Sequence, residues 1–383
     1  MNPIELAQKL QAALVSYLTT TFDVNRDGQE PELAAAIEAS FNLQGALFNG
    51  PYLELTPPYR TRQSLKALCE RGVLSEQLLR LECFNRGMPI SVDAPLFTHQ
   101  ERAIRKLVIE QHNVVISSGT GSGKTECFLI PILNDLLSDA TPGVRALLIY
   151  PMNALVNDQL DRLRSLLAGT DITFGRYTSE LMQTEEEALR HAETPPLPNE
   201  VICRDHIQSG EKLPQILITN YAMLEYLLLR PKDSPLFESG RWRYIVLDEA
   251  HTYVGAQGIE VALLLRRLKH RLGKSRGEIR CVATSATLTD DDATEAATFA
   301  ACLFDEPFDE DDIIFGEIDT AYFPEAETAY DVPRGTYNHP EFGALLAEIR
   351  SEDGPDTDAI ALRMNEFGLI SDEMVAYADR HRD

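Results

Sequence analysis

From Asn113 to Glu126 the chain reads NVVISSGTGSGKTE. Gly119, Thr120, Gly121, Ser122 and Gly123 carry almost no side-chain bulk, and Lys124 and Thr125 follow them directly. Residues this small let backbone N–H groups turn inward onto phosphate oxygens, and a helix N-terminus behind them adds partial positive charge. Lys124 has the reach for the β- and γ-phosphates of a nucleoside triphosphate, and the Thr125 hydroxyl can ligate Mg²⁺. The spacing fits G-x-x-x-x-G-K-[ST] except at its first position, where Ser118 stands in place of glycine. Serine is small, so the loop is expected to tolerate it. The plain alternative is an ordinary Gly-rich turn from a strand into a helix.

Two more chemistry-bearing strings follow strand-like runs. Asp248-Glu249-Ala250-His251 comes directly after Tyr244-Ile245-Val246-Leu247. A carboxylate at the end of a buried strand can hold Mg²⁺, and a second one beside it can polarise an attacking water. That assigns metal binding to Asp248, alongside Thr125, and water activation to Glu249. His251 is expected to link the site to neighbouring elements. Thr284-Ser285-Ala286-Thr287 follows Ile279–Ala283; its short hydroxyls are expected to bond the Asp248/His251 region and couple hydrolysis to bound substrate, with Ser285 and Thr287 in that role. Upstream, Phe97-Thr98-His99-Gln100 offers an amide that can donate to and accept from an adenine edge. Thr98 with Glu101 three residues on is also a capping-box pattern, and both readings of the segment can hold.

These residues need a scaffold that brings strand ends to one rim. Apolar, β-rich runs occur at 113–117, 145–150, 215–219, 244–247 and 279–284, with a weaker one at 172–177. Most are separated by segments of helical periodicity. Such alternation implies right-handed crossovers and an α/β fold, a parallel sheet sandwiched by helices, with ligands at the carboxyl ends of the strands. Residues 1–92 instead suggest a helical accessory domain, with helices near 3–19, 31–41, 62–70 and 75–84.

Composition sets further bounds. The 383 residues suffice for two or three domains, and 44% hydrophobic with 25% charged residues is ordinary for a globular chain. Six cysteines are scattered without a C-x-x-C pair, which suggests neither a disulfide framework nor a zinc site and fits a cytoplasmic setting. No apolar run approaches the ~18 residues of a membrane span, so no membrane partner is expected. The formal net charge of −25 is concentrated late: from Asp290 onward there are 26 acidic and 5 basic residues, against 34 and 30 before it. That acidity argues against a nucleic-acid grip by the tail and leaves the front free for one.

Taken together, Gln100, the loop at 119–125, Tyr150-Pro151-Met152-Asn153-Ala154-Leu155, Thr219-Asn220-Tyr221, the DEAH string and the Ser285-Ala286-Thr287 triplet stand in the order of motifs Q, I, Ia, Ib, II and III of superfamily 2 helicases. The longer strings YPMNALVNDQ, ITNYAMLEYLLLR and LDEAHTYVGAQGIEVALLLRRLKHRLG resemble the MrfA-like bacterial DNA helicases and the large helicases of Druantia- and DISARM-type phage-defence systems. The resemblance covers about 93–290. Over 1–92 it rests mainly on GPYLELTPPYR.

The resemblance implies a RecA-like ATP-binding lobe at 93–290, with ATP and Mg²⁺ as cofactors and Lys124, Asp248, Glu249 and His251 as catalytic residues. It also implies a track for single-stranded DNA, with Pro151, Asn153 and Asn157 near one backbone contact and Thr219, Asn220 and Tyr221 near another. Amides and hydroxyls suit such sequence-independent phosphate contacts. Arg266, Arg267, Lys269, His270, Arg271, Lys274, Arg276 and Arg280 form a basic run that can face nucleic acid, a neighbouring domain or solvent.

Helicases of this class work with two lobes, the second supplying arginines to the γ-phosphate. After Thr287 no second strand–helix series and no Q-x-x-G-R-x-x-R-like string occurs. Residues 291–383 are read as an acidic segment, the start of a helical insertion, with helical patterns at 341–350, 358–367 and 372–380. A second RecA-like lobe, from a longer chain or a partner protein, is therefore expected. The alternative is a non-catalytic, ATP-responsive module that binds nucleic acid or a partner.

Overall fold

The computed structural model describes residues 3–21, 31–41, 58–81, 91–119, 121–192, 194–238, 240–286, 292–319 and 357–366. They fall into two compact units, Met1–Pro57 with Thr320–Asp383, and Pro58–Asp319. In the first unit the described elements are helices Pro3–Thr21, Pro31–Phe41 and Thr357–Glu366. The helical patterns expected at 341–350 and 372–380 lie outside the described residues.

The second unit is built on a sheet of seven parallel strands: β3 (Val114–Ser117), β4 (Ala146–Tyr150), β5 (Phe174–Tyr177), β6 (Ile216–Asn220), β7 (Tyr244–Leu247), β8 (Arg280–Ser285) and β9 (Ile313–Phe315). Their spatial order is β5-β6-β4-β7-β8-β3-β9, so β3 lies beside β8, with β7 next beyond. Each strand feeds two cores. Val114, Ile116, Ala146, Leu148, Ile216, Ile218 and Val246 enter one, and Val115, Leu147, Ile149, Leu217, Ile245 and Leu247 the other. Alternation with period two places successive side chains on opposite faces, and both faces are covered by helices. The continuous apolar runs of the sequence follow from this double burial.

Three elements differ from the sequence reading. The helix expected at 62–70 begins as a strand, β1 (Thr61–Ser64), paired antiparallel with β2 (Pro95–Phe97). Its helical part is Leu65–Glu70, where the Ser64 hydroxyl accepts from Ala67 N at 3.2 Å. Within the pattern at 75–84, the described residues form a 3₁₀ turn, Glu76–Arg80. Beyond residue 290, the helix at Ala293–Phe304 is followed by an unexpected strand, β9, which joins the same sheet beside β3.

The acid run before β9 hid that strand. Asp312 is buried and accepts from Lys106 Nζ at 3.0 Å, with His112 Nδ1 3.1 Å away, so its charge is neutralised inside the lobe. The unit closes on itself: Arg60 N donates to Glu317 O at 2.8 Å and Asp319 N to Pro58 O at 2.9 Å. Its bounds at 58 and 319 are thus wider than the 93–290 span read from motifs.

Candidate nucleotide site

The Gly-rich loop leaves the carboxyl end of β3. Ser118 is buried, its N–H donates to Ser285 O at 3.3 Å, and its hydroxyl lies 2.5 Å from that of Ser122. The hydroxyl pair closes the base of the loop by a bond that glycine at this position could not make. Gly121 and Gly123 sit at φ +77° and +74°, the left-handed region that a side chain opposes. Thr120 and Thr287 lie outside the described residues.

Lys124 opens helix Lys124–Ser138. Its ammonium donates to Ser118 O at 3.0 Å and to Ser285 O at 3.3 Å, and lies 3.9 Å from Glu249 Oε1. One cation thereby touches the loop, the end of β8 and the acidic string after β7. Strand order makes this possible, because β3 and β7 flank β8 and all three run parallel.

Asp248 follows β7, its N–H donating to Ile149 O at 3.0 Å. The fully buried Thr284 hydroxyl donates to Asp248 Oδ1 and accepts from Glu249 N at 3.1 Å. Burial pushes the Asp248 carboxyl above its ordinary range and Glu249 adds to this, while the Thr284 bond and Lys124 pull the other way. Glu249 adopts φ +50° and ψ +49°, a left-handed conformation that non-glycine residues rarely take. Strain of this kind concentrates where geometry serves function. Its Oε2 lies 3.3 Å from His251 Nδ1. The hydroxyl that bonds Asp248 is that of Thr284, and the Ser285 backbone carbonyl accepts from Lys124 and Ser118.

The first turn of helix Thr98–Arg105 reaches the loop from the other side. The buried Gln100 amide accepts from Phe97 N at 3.0 Å and donates to Gly123 O at 3.1 Å. It therefore caps its own helix and holds the loop at once. The expected Thr98/Glu101 box does not form. Thr98 Oγ1 donates to Arg60 O at 3.1 Å, and Glu101 accepts from Gln63 N at 3.1 Å and Arg105 Nε at 2.8 Å. His99 Nε2 lies 2.9 Å from Ser122 O, and burial lowers its pKa.

Tyr59 completes this wall and was not singled out from the sequence. Its hydroxyl accepts from Gly119 N at 2.9 Å, and its ring packs edge-on to Phe97 and His99 at 5.5 and 5.3 Å. The signal available was its place in GPYLELTPPYR, where only the resemblance pointed to it.

The two polar strings beyond β4 and β6 meet. Asn220 Nδ2 donates to Asn153 Oδ1 at 2.7 Å, and Asn220 Oδ1 accepts from Met223 N at 2.7 Å, capping helix Tyr221–Leu229. Both asparagines and Pro151 are half-buried at the same rim. Tyr221 packs edge-on to Tyr253 at 6.1 Å. The Thr219 hydroxyl is fully buried and donates to Tyr177 O at 2.6 Å, so its side chain serves the sheet. Asn157 bonds Arg176, and its amide lies 3.5 Å from Glu180 Oε2.

The basic run largely pairs within the lobe: Arg266 and Arg276 with Asp305, Lys269 with Glu306, Arg267 with Glu225, and Lys274 with Glu278.

A parallel sheet carrying a Gly-rich loop, an acidic pair and a Thr-Ser-Ala turn on one rim defines a RecA-like, helicase-type lobe. The chain belongs to the DEAD/DEAH box helicase family, whose model matches residues 97–296. It is 29% identical to the Druantia protein DruE of Escherichia coli (strain UMEA 4076-1) over 74% of this chain and 20% of DruE. It is 31% identical to the uncharacterized ATP-dependent helicase YprA of Bacillus subtilis (strain 168), over 54% of this chain and 26% of that protein. Among solved structures, the DUF1998 helicase MrfA bound to DNA is similar with a TM-score of 0.50 and 26% identity, covering 74% of this chain and 34% of MrfA. The chain thus spans between a fifth and about a third of the length of these relatives. Among the described residues no helix is long and apolar enough to cross a membrane.

Proposed function

We propose that this chain is the ATP-binding first lobe of a superfamily 2 DNA helicase or translocase, a nucleic-acid-dependent ATPase. The observation that carries the reading is the Lys124 ammonium, bonded to Ser118 O and Ser285 O and 3.9 Å from Glu249. Gly119 to Gly123 and Lys124 hold the triphosphate, and Gln100 positions the loop and borders the adenine. Thr125 and Asp248 supply oxygen donors that suit Mg²⁺, and the desolvated Asp248 carboxylate gains from a cation beside it. Bound there, the ion neutralises charge on the β- and γ-phosphates. Glu249 orients the attacking water, with His251 beside it.

Single-stranded DNA lies across Pro151, Asn153, Asn220 and the exposed edge of Tyr221, held by its phosphates rather than its bases. DNA as the substrate is supported by the DNA-bound MrfA structure, and a setting in phage defence by the similarity to DruE, with DNA repair the alternative setting. A second RecA-like lobe completes the motor. In motors of this class an arginine facing the γ-phosphate contributes roughly 10³–10⁵ in turnover, and that lobe would supply it.

The test is calorimetric titration with ATP and Mg²⁺, followed by hydrolysis with and without single-stranded DNA. Binding in the wild type that is lost in Lys124→Ala, with binding kept and turnover lost in Glu249→Gln, supports the assignment. Absence of any heat with ATP and Mg²⁺ overturns it. Binding with no turnover under any condition returns the protein to the nucleotide-responsive module.

A further inference from the structure

On the rim opposite the Gly-rich loop, the amino ends of β4, β7 and β8 surround a cavity of about 570 Å³. The volume lies within the range of small-ligand pockets. Its wall carries Arg145, Arg241, Arg243, Lys274 and Arg280.

The acids nearby do not balance these charges. Asp139 is 3.0 Å from Arg145, 3.7 Å from Arg241 and 3.6 Å from Arg243, so one carboxylate is shared by three guanidinium groups. Asp135 also pairs with Arg243, and Glu278 lies 3.9 Å from Lys274. Arg280 reaches the neutral Gln111 amide oxygen at 2.5 Å. Five cations thus face three carboxylates, in a chain whose formal net charge is −25.

A second observation points the same way. Arg145 is 1% exposed, and among the described residues its Nε and Nη1 have no hydrogen-bond partner. Its Nη2 alone is committed, to Thr141 O at 3.0 Å, Asp139 O at 3.4 Å and the Asp139 carboxylate. A guanidinium held this deep with two unmet donors raises the potential of the cavity above it, where low dielectric strengthens the field.

We propose that this cavity is an anion site for a phosphate group, separate from the nucleotide site, gripped by Arg241 and Arg280 over the buried Arg145. Guanidinium forks match phosphate oxygens in pairs. The phosphate comes either from a free polyphosphate or from the 5′ end of a nucleic acid, two sources of one chemistry.

Trp242 is the chain's single tryptophan, is fully buried and lines this cavity, so its fluorescence reports here and not at the Gly-rich loop. The experiment titrates the full chain with sodium pyrophosphate against sodium chloride of matched ionic strength, then with 5′-phosphorylated and 5′-hydroxyl oligonucleotides. A saturable change with pyrophosphate supports the site, provided its midpoint weakens by about tenfold or more in Arg241→Ala/Arg280→Ala and recovers in part in the double lysine variant. Competition by the phosphorylated oligonucleotide alone supports it too, and names the nucleic-acid end as the source. No change beyond chloride, or an unshifted midpoint in the alanine variant, overturns it. Both arginines are partly exposed, so the variants are expected to fold, which circular dichroism checks.

Discussion

The Thr284 hydroxyl donates to Asp248 Oδ1 while accepting from the N–H of Glu249, so one buried oxygen sets both the carboxylate and the backbone next to it. Thr284→Val keeps the shape of the side chain and removes both bonds. Losing such a supporting partner costs about 10–100-fold in metal affinity or activity. The expected outcome is Mg²⁺-dependent ATP binding weakened by about that factor, with Mg²⁺-independent binding nearly unchanged. Calorimetry in Mg²⁺ and in EDTA separates the two, and equal losses in both would remove Thr284 from the role.

Asp248 stands under a different tension. Its burial raises the native pKa above the ordinary value of 3.8. The folded state then holds this proton more tightly than the unfolded state. Stability from the protonated carboxyl is fully present below the unfolded value and is lost as pH rises through the native one. Above that point the charged form costs stability. Asp248→Asn, which still accepts from Thr284, is expected to raise the urea midpoint at pH 7 and to abolish Mg²⁺-dependent nucleotide binding. The stabilisation should shrink as pH falls toward 4, and a gain that is flat with pH would deny the electrostatic origin.

Gly123 is confined twice over. A Cβ there would clash with Gln100 Nε2 and lie 2.9 Å from Glu126 Oε2, and the φ of +74° disfavours any side chain. Gly123→Ala is expected to destabilise by about 1–3 kcal/mol, and to abolish nucleotide binding. Adding Gln100→Ala removes that clash but neither the approach to Glu126 Oε2 nor the φ strain. The double variant should therefore be more stable than additivity predicts by about 0.5 kcal/mol or more, measured by denaturant unfolding. Strict additivity would show that the two residues do not press on each other.

Glu306 tests where the lobe ends. It is buried with Lys269, which also donates to Phe304 O at 2.5 Å. Glu306→Leu alone strands a buried ammonium, a loss of about 3–5 kcal/mol in such pairs, whereas Glu306→Leu with Lys269→Met should recover most of it. If Glu306→Leu leaves the thermal midpoint unmoved, residues 305–306 do not belong to the sheet unit.

Much of this site was legible because its chemistry is local. A run of small residues before Lys124 needs no partner to be recognised, and neither does a carboxylate pair after four apolar residues. The five internal strands were equally plain, because double burial makes each a continuous apolar run, while the edge strand β5 gave only the weaker run at 172–177. Thr284 was harder. It sits one residue before the Ser285–Thr287 triplet, and nothing in one dimension tells which hydroxyl of the string faces Asp248. Tyr59 and β9 were invisible for two other reasons. An aromatic residue 60 positions before Gly119 carries no local pattern, and a three-residue apolar strand vanishes beside Asp309–Asp312.

By itself the sequence determined the residue types at the phosphate loop and the acidic pair, and the alternation that forces a parallel sheet. Backbone propensity and periodic burial act over a few residues, so they are written in order along the chain. Only the tertiary structure decided which groups share a rim and how far the lobe extends. It also decided that the basic run after the acidic string largely pairs within the lobe, Arg266, Lys269 and Arg276 with Asp305 and Glu306. Those outcomes depend on strand order, with β8 between β3 and β7, and on buried charges that must find partners wherever the fold brings them.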